Sequence, residues 1–257
     1  GGSAVSFAYT HGKTANFTMY ALWTAVNYTV TYSLNGGTGT APTETTKTIG
    51  QTFSVASIGA SYKSGYTFGG WSDGSTTYQA TNTYTVGSAN IVLTAQWNLA
   101  VYVVTYNSNS ATSGAGSRTS ENYTYGSTAI TLPSINTLTR TGYSFGGWST
   151  TSGISATPIS GTYTPTASIT LYAVWNPVTY TISFNSSGGG TAPTSVTYTT
   201  GGTTVTLPSV GSMAKTGYDF SGWATTASGS VISNSGYSVS ADTTLYAIWT
   251  IKNISYT

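Results

Sequence analysis

One feature constrains this chain more than any other: it repeats itself. Gly65-Tyr66-Thr67-Phe68-Gly69-Gly70-Trp71 recurs as Gly142-Tyr143-Ser144-Phe145-Gly146-Gly147-Trp148 and as Gly217-Tyr218-Asp219-Phe220-Ser221-Gly222-Trp223. A second motif follows each: Leu93-Thr94-Ala95-Gln96-Trp97, Leu171-Tyr172-Ala173-Val174-Trp175 and Leu245-Tyr246-Ala247-Ile248-Trp249. The closing Trp stands at 23, 97, 175 and 249, a spacing of 74 to 78 residues. Such a period means an array of supersecondary units that each carry the same core. Met19-Tyr20-Ala21-Leu22-Trp23 is a closing motif with no Gly-Tyr-x-Phe before it, so residues 1–23 read as the end of a truncated unit. Ile254-Ser255-Tyr256 reads as the next unit beginning. The expected division is therefore 1–23 (partial), 24–97, 98–175, 176–249 and 250–257 (partial), as in a segment cut from a longer array.

Within a unit, Tyr28, Val30, Tyr32 and Leu34 alternate with Thr29, Thr31 and Ser33, the period of a half-buried strand. Residues 102–106 and 180–184 repeat that opening strand. Turn-rich stretches follow, leading to Thr-rich strands near 43–49, 119–125 and 194–200, which predicts a hairpin with a long, variable loop. Short apolar pieces such as Ile130-Thr131-Leu132-Pro133 and Val205-Thr206-Leu207-Pro208 end in Pro, which leaves room only for a short helix. The Gly-Tyr-x-Phe strand alternates its aromatics and carries glycines suited to a bulge or close backbone approach. Large residues on both faces of the closing strand, Leu171, Ala173 and Trp175 against Tyr172 and Val174, predict an interior strand covered on two sides. Each buried aromatic contributes at most about 4–6 kcal/mol, which a unit of this size needs to hold together without disulfides.

The opening Tyr-Thr-Val-Thr-Tyr strand, the Gly-Tyr-x-Phe-x-Gly-Trp motif and the closing Leu-Tyr-Ala-x-Trp together resemble the Listeria-Bacteroides repeat, the internalin B-repeat family of bacterial surface proteins. The resemblance covers 28–97, 102–175 and 180–249 plus the two partial copies. It implies a mainly β (α+β, β-grasp-like) domain whose first and last strands lie side by side in a mixed sheet. It also implies tandem arrays in the stalks of secreted or cell-wall-attached proteins, often adhesins. The hairpin loops are longer than in short members of the family, and Lys and Glu are scarcer.

The remaining composition mostly excludes. Charged residues are 5% of the chain and the net charge is +2, too little for a phosphate-tracking surface, so nucleic acid is not an expected partner. With no Cys and one His, disulfides, thiolate chemistry and most zinc sites are absent, and no cofactor is expected. No apolar run approaches the roughly 18 residues of a membrane span, so this segment should not insert. The carboxylates Glu44, Asp73, Glu121, Asp219 and Asp242 fall at different places in the unit, so no acid pair recurs and an enzyme is not expected. His11 has no equivalent in other copies and reads as a solvated loop residue. Gly188-Gly189-Gly190 lacks the Lys of a phosphate loop and reads as a turn. The sequons at Asn16, Asn27, Asn122, Asn185 and Asn253 matter only in a glycosylating host.

Lys63 and Lys215 precede the Gly-Tyr motif where the middle copy has Arg140, which argues against a Lys-Asn amide cross-link; Gln51, Gln79 and Gln96 would allow a Thr-Gln ester in one copy alone. The basic residue is expected to lie over an aromatic face. The expected signature of the unit is Tyr66, Phe68, Trp71, Trp97, Tyr143, Phe145, Trp148, Trp175, Tyr218, Phe220, Trp223 and Trp249, with Tyr84, Tyr163 and Tyr237 also in the core. Tyr62 and Tyr78 lie outside the shared set and are the candidates for ligand contact. Linkers of about five residues, one stiffened by Pro177, predict an elongated semi-rigid rod extending on the order of 100 Å. The expected function is an extracellular stalk that projects a distal domain, touching neighbouring repeats. The rival expectation is an adhesion module whose exposed loops bind a host or cell-surface glycan or protein.

Overall fold

The computed structural model describes residues 18, 20–116, 118–153 and 156–253. The chain forms two compact units, Gly1–Asn98 and Leu99–Thr257, the second of which contains two copies of the sequence repeat. No helix occurs among the described residues.

Each copy is built on a mixed sheet of four strands. In the second copy the order is Ser120–Thr124, Val101–Asn107, Ile169–Pro177, Tyr143–Ser149. In the third it is Val196–Thr199, Thr179–Asn185, Thr243–Ile251, Tyr218–Ala224. The first copy runs Val30–Ser33, Ile91–Leu99, Tyr66–Ser72, Thr77–Tyr78, and its Thr-rich return strand shrinks to Lys47–Thr48 against Asn27–Tyr28. In every copy the opening strand lies parallel to the closing strand, Val30 opposite Ile91, Val104 opposite Ile169 and Ile182 opposite Thr243. The expected side-by-side placement of first and last strands is thus observed, within a fold that is mainly β.

The α part of the expectation is not. The segments that end in Pro133 and Pro208 form no helix; Ile130–Thr131 pairs with Thr162–Tyr163, and Val205 bridges Tyr237. The first copy has the same ribbon between Thr52–Ser54 and Thr83–Thr85. Proline and β-branched residues leave too few consecutive helix-competent positions, and backbone groups denied a helix pair across space instead.

The closing strand is interior, as its apolar content predicts, but it is not covered equally on two faces. In the first and third copies burial alternates, with Val92 55% exposed, and Gln96 and Ile248 are half-buried. Only Val174 in the second copy is fully buried on the second face. Three separate clusters make the cores, centred on Trp71 with Leu93, Trp148 with Leu171, and Trp223 with Leu245.

The expected five-residue linkers are absorbed into strands. One closing strand runs to Pro177 and the next opening strand starts at Thr179. Val178 between them is held on both sides: its N–H donates to Gly142 O at 2.9 Å and its carbonyl accepts from Thr200 N–H at 3.0 Å. By contrast Tyr20, Leu22 and Trp23 are 86% to 98% exposed and lie in no strand.

Candidate functional site

The most regular constellation in the molecule is aromatic. The signature Trp is buried in every copy, 0% exposed at Trp71 and Trp223 and 3% at Trp148. Its indole N–H donates to a carbonyl fifteen residues earlier each time: Ala56 at 2.9 Å, Pro133 at 2.7 Å and Pro208 at 2.7 Å. This satisfies the one polar atom of an otherwise apolar side chain and pins the irregular segment to the sheet. The closing Trp does the same at the sheet's other end, Trp97 to Leu34 O, Trp175 to Ser108 O and Trp249 to Ser186 O, at 2.8 to 2.9 Å.

A Phe joins the two indoles edge-to-face. Phe68 lies 5.2 Å from Trp71 and 5.7 Å from Trp97; Phe145 lies 5.7 and 5.9 Å from Trp148 and Trp175; Phe220 lies 5.4 and 5.6 Å from Trp223 and Trp249. A fourth ring from the opening strand, Tyr32, Tyr106 or Phe184, packs on the signature Trp at 4.7 to 4.9 Å. Such pairs add about 0.5–1.5 kcal/mol each beyond burial.

The motif's glycine pair makes this geometry reachable. Strand register shifts between Phe145 and Gly147 and between Phe220 and Gly222, a bulge that turns the following Trp inward. Gly70, Gly147 and Gly222 have φ of +119°, +123° and +142°, and a Cβ at Gly222 would lie 2.3 Å from Val231 Cγ1. Only glycine meets both conditions. The neighbouring position is set by the strand opposite: where it is Gly69 or Gly146, Asn98 or Asn176 fills the space, and where it is Ser221 the partner is Thr250, hydroxyl to hydroxyl at 3.0 Å.

Tyr66, Tyr143 and Tyr218 lie at the rim, and Tyr218 is 39% exposed. Above each ring sits the expected cation, Lys63 at 4.7 Å, Arg140 at 4.3 Å and Lys215 at 4.9 Å. The same cation donates to the carbonyl of a left-handed residue in the turn after the opening strand, Asn35 (3.5 Å), Asn109 (3.3 Å) or Ser187 (3.2 Å). These three turn residues escaped the sequence reading. Their signal was an Asn, Asn or Ser one position past the residue that accepts the closing indole's proton.

Among the described residues the acidic side chains form no recurring site. Asp73 accepts from the backbone N–H groups of Thr76 and Ser75, which hold its carboxyl below the usual range, and from the Tyr78 and Tyr84 hydroxyls. Tyr78, a candidate ligand contact, is therefore occupied, with its ring 5.0 Å from Tyr84; Tyr62 remains 59% exposed. Glu44 is held down chiefly by its bond to Lys47, and Glu121 binds Arg118 and the Tyr106 hydroxyl. Burial first, and Glu121 second, push the Tyr106 phenol well above its ordinary range. Asp242 caps the Thr181 N–H. Tyr84, Tyr163 and Tyr237 are half-buried on the two-stranded ribbons. Lys63 reaches the main chain of Asn35, whose carboxamide donates elsewhere, to Ala95 O. His11 lies outside the described residues, as do Ile254-Ser255-Tyr256. Among the described residues no group of three His, Cys, Asp or Glu is placed to hold a metal ion, and no helix is long and apolar enough to cross a membrane.

Sheet, bulge, ribbon and paired indoles, three times over, define a tandem array of small mixed-sheet domains with aromatic cores. The model of the Listeria-Bacteroides repeat domain matches residues 28–96, 102–174 and 180–248, and the chain belongs to that family. Two curated relatives come from Evansella cellulosilytica. One, named "Putative Gly-rich membrane protein", is 33% identical over 208 residues, 76% of this chain and 23% of that protein. The other, named "Putative membrane protein", is 29% identical over 256 residues, 92% of this chain and 34% of that protein. The chain thus spans 23% to 34% of the length of these relatives.

Proposed function

We propose that the chain is a structural spacer from the stalk of a bacterial cell-surface adhesin, outside the cell, whose repeats at 24–97, 98–175 and 176–249 project a distal functional domain from the envelope. The observation that carries this reading is where the recurring chemistry goes. Apart from the rim Tyr with its cation, the aromatic side chains that repeat in register are spent on the interior, and among the described residues no carboxylate recurs at an equivalent position. Twelve positions, Tyr66, Phe68, Trp71 and Trp97 with their counterparts, are the structural signature of the unit. The membrane association in the relatives' names favours the envelope. A one-residue junction bonded on both sides, as at Val178, favours a restricted hinge over a flexible tether.

We take the chain to be non-catalytic, its carboxylates being bound at non-equivalent places, and its partners to be its own neighbouring repeats. Small-angle scattering tests the spacer: three serial units of about 74 residues should give a maximum dimension on the order of 100 Å, and a value near 60 Å would refute it. The adhesion-module reading has one observation in its favour, the 59% exposure of Tyr62.

A further inference from the structure

In each repeat the chain enters at the start of the opening strand and leaves at the end of the closing strand, and these two strands lie side by side and parallel. Four residue pairs join them in every copy: Val30 to Ser33 with Ile91 to Thr94, Val104 to Asn107 with Ile169 to Tyr172, and Ile182 to Asn185 with Thr243 to Tyr246. Side chains add bonds across the same seam at both of its ends. At the entry end, the residue before the closing strand accepts an N–H from the opening strand: Asn90 Oδ1 from Thr29 at 2.9 Å, Ser168 Oγ from Val103 at 3.0 Å and Asp242 Oδ1 from Thr181 at 2.8 Å. At the exit end, the closing indoles of Trp97, Trp175 and Trp249 donate to the carbonyl just past the opening strand. In the first two repeats the left-handed turn residue adds another bridge, Asn35 Nδ2 to Ala95 O at 3.0 Å and Asn109 Nδ2 to Ala173 O at 2.8 Å. Ser187 holds that place in the third repeat and its Oγ has no hydrogen-bond partner, so that seam has one bridge fewer.

Tension drawn along the chain pulls the opening strand toward the N-terminal side and the closing strand toward the C-terminal side, so the two are driven to slide past each other along their length. Ladder bonds run across the strands. Sliding therefore strains all of them at once, together with the side-chain bonds at both ends, whereas separating the strands from one end breaks them one after another. Forced unfolding is governed by the barrier to unfolding, which is higher when many bonds must fail together. We propose that the opening and closing strands of each repeat form a load-bearing clamp, so that the chain resists tension as well as spanning distance. Neither strand of the clamp is a sheet edge in the second and third repeats, where the return strand and the Gly-Tyr-x-Phe strand flank the pair. Load also passes between these two repeats without a slack segment, because Val178, the one residue between Ile169–Pro177 and Thr179–Asn185, is bonded to Gly142 and to Thr200. The inference rests on the spacer reading for its purpose; the mechanics follow from strand order alone.

The test is single-molecule force spectroscopy on the full chain, held by pairs of introduced cysteines, since the sequence has none of its own. Val101→Cys with Thr179→Cys loads the second repeat along its strands. Val101→Cys with Ala167→Cys draws the same two strands apart from their entry end. All three positions are exposed. The first pair should need a several-fold higher unfolding force than the second. Asn109→Ser puts into the second repeat the residue that the third already carries in the same turn. It should lower the first force and leave the second unchanged, because the bridge to Ala173 lies at the end that peels last. Equal forces in the two directions overturn the proposal, as does a first force that Asn109→Ser leaves unchanged. A loss of equal size in both directions also overturns it, being what a bridge that serves only global stability would give. None of these outcomes touches the maximum dimension read by scattering, so the clamp and the spacer fail separately.

Discussion

Replacing Trp71 by Ala should unfold one unit and spare the other. The indole is 0% exposed, contacts Tyr32 at 4.8 Å and Phe68 at 5.2 Å, and donates to Ala56 O at 2.9 Å. Removing a buried Trp costs about 3–5 kcal/mol, and the upper half of that range applies here because the rings around it lose their edge-to-face partner and a carbonyl loses its donor. A folded unit of about 75 residues has roughly 4–11 kcal/mol to lose. The variant's first unit should therefore lose from about a third to all of its stability. Hydrogen exchange read by mass spectrometry resolves the outcome along the chain. Peptides from 28–97 should lose protection equivalent to about 4 kcal/mol, whereas peptides from 102–249 should match the parent. Trp71→Phe, which keeps a ring but not the N–H, should cost about 1–2 kcal/mol. A loss below 1 kcal/mol would show that Trp71 is not core; equal loss in both units would refute their independence.

Trp148→Ala should behave differently, because Val178 bonds both Gly142 and Thr200; exchange should quicken in 179–200 as well as within the second repeat. Gly222→Ala should cost about 2–4 kcal/mol by urea denaturation, given its φ of +142° and a Cβ 2.3 Å from Val231, whereas Gly50→Ala, at φ +80° with open space, should cost about 1 kcal/mol. Burial raises the folded-state pKa of Tyr32 and Tyr106, so their contribution is fully present below the unfolded phenol value of about 10 and is lost as pH rises above it. Phe184 occupies that place in the third repeat and does not titrate. Urea midpoints measured between pH 8 and 11 should therefore fall in the parent, and less steeply in Tyr106→Phe; an unchanged slope would contradict the assignment.

Strands, repeat and aromatic signature were legible because they are local or periodic. Alternation along Tyr28 to Leu34 is written in adjacent residues, and the glycine before each signature Trp leaves room for the bulge that the second and third copies form. The parallel placement of first and last strands came from family resemblance and is what the structure has. The ribbon between 52–54 and 83–85 was invisible because two or three residues carry no period, and what joins them is a register across thirty positions. The same limit hid the missing bridge of the third repeat. Nothing in the string Asn185-Ser186-Ser187-Gly188 says that the third residue's hydroxyl ends buried without a hydrogen-bond partner.

The amino-acid order by itself determined the period, the strand faces and the residues available to fill a core. Tertiary structure decided which carbonyl each indole reaches, which face of the closing strand is covered, and that the Ser187 hydroxyl is buried without a hydrogen-bond partner. The division has a physical cause: side-chain alternation is fixed by the bond geometry of neighbouring residues, whereas the length a side chain must span is set only when strands sixty residues apart come to lie side by side.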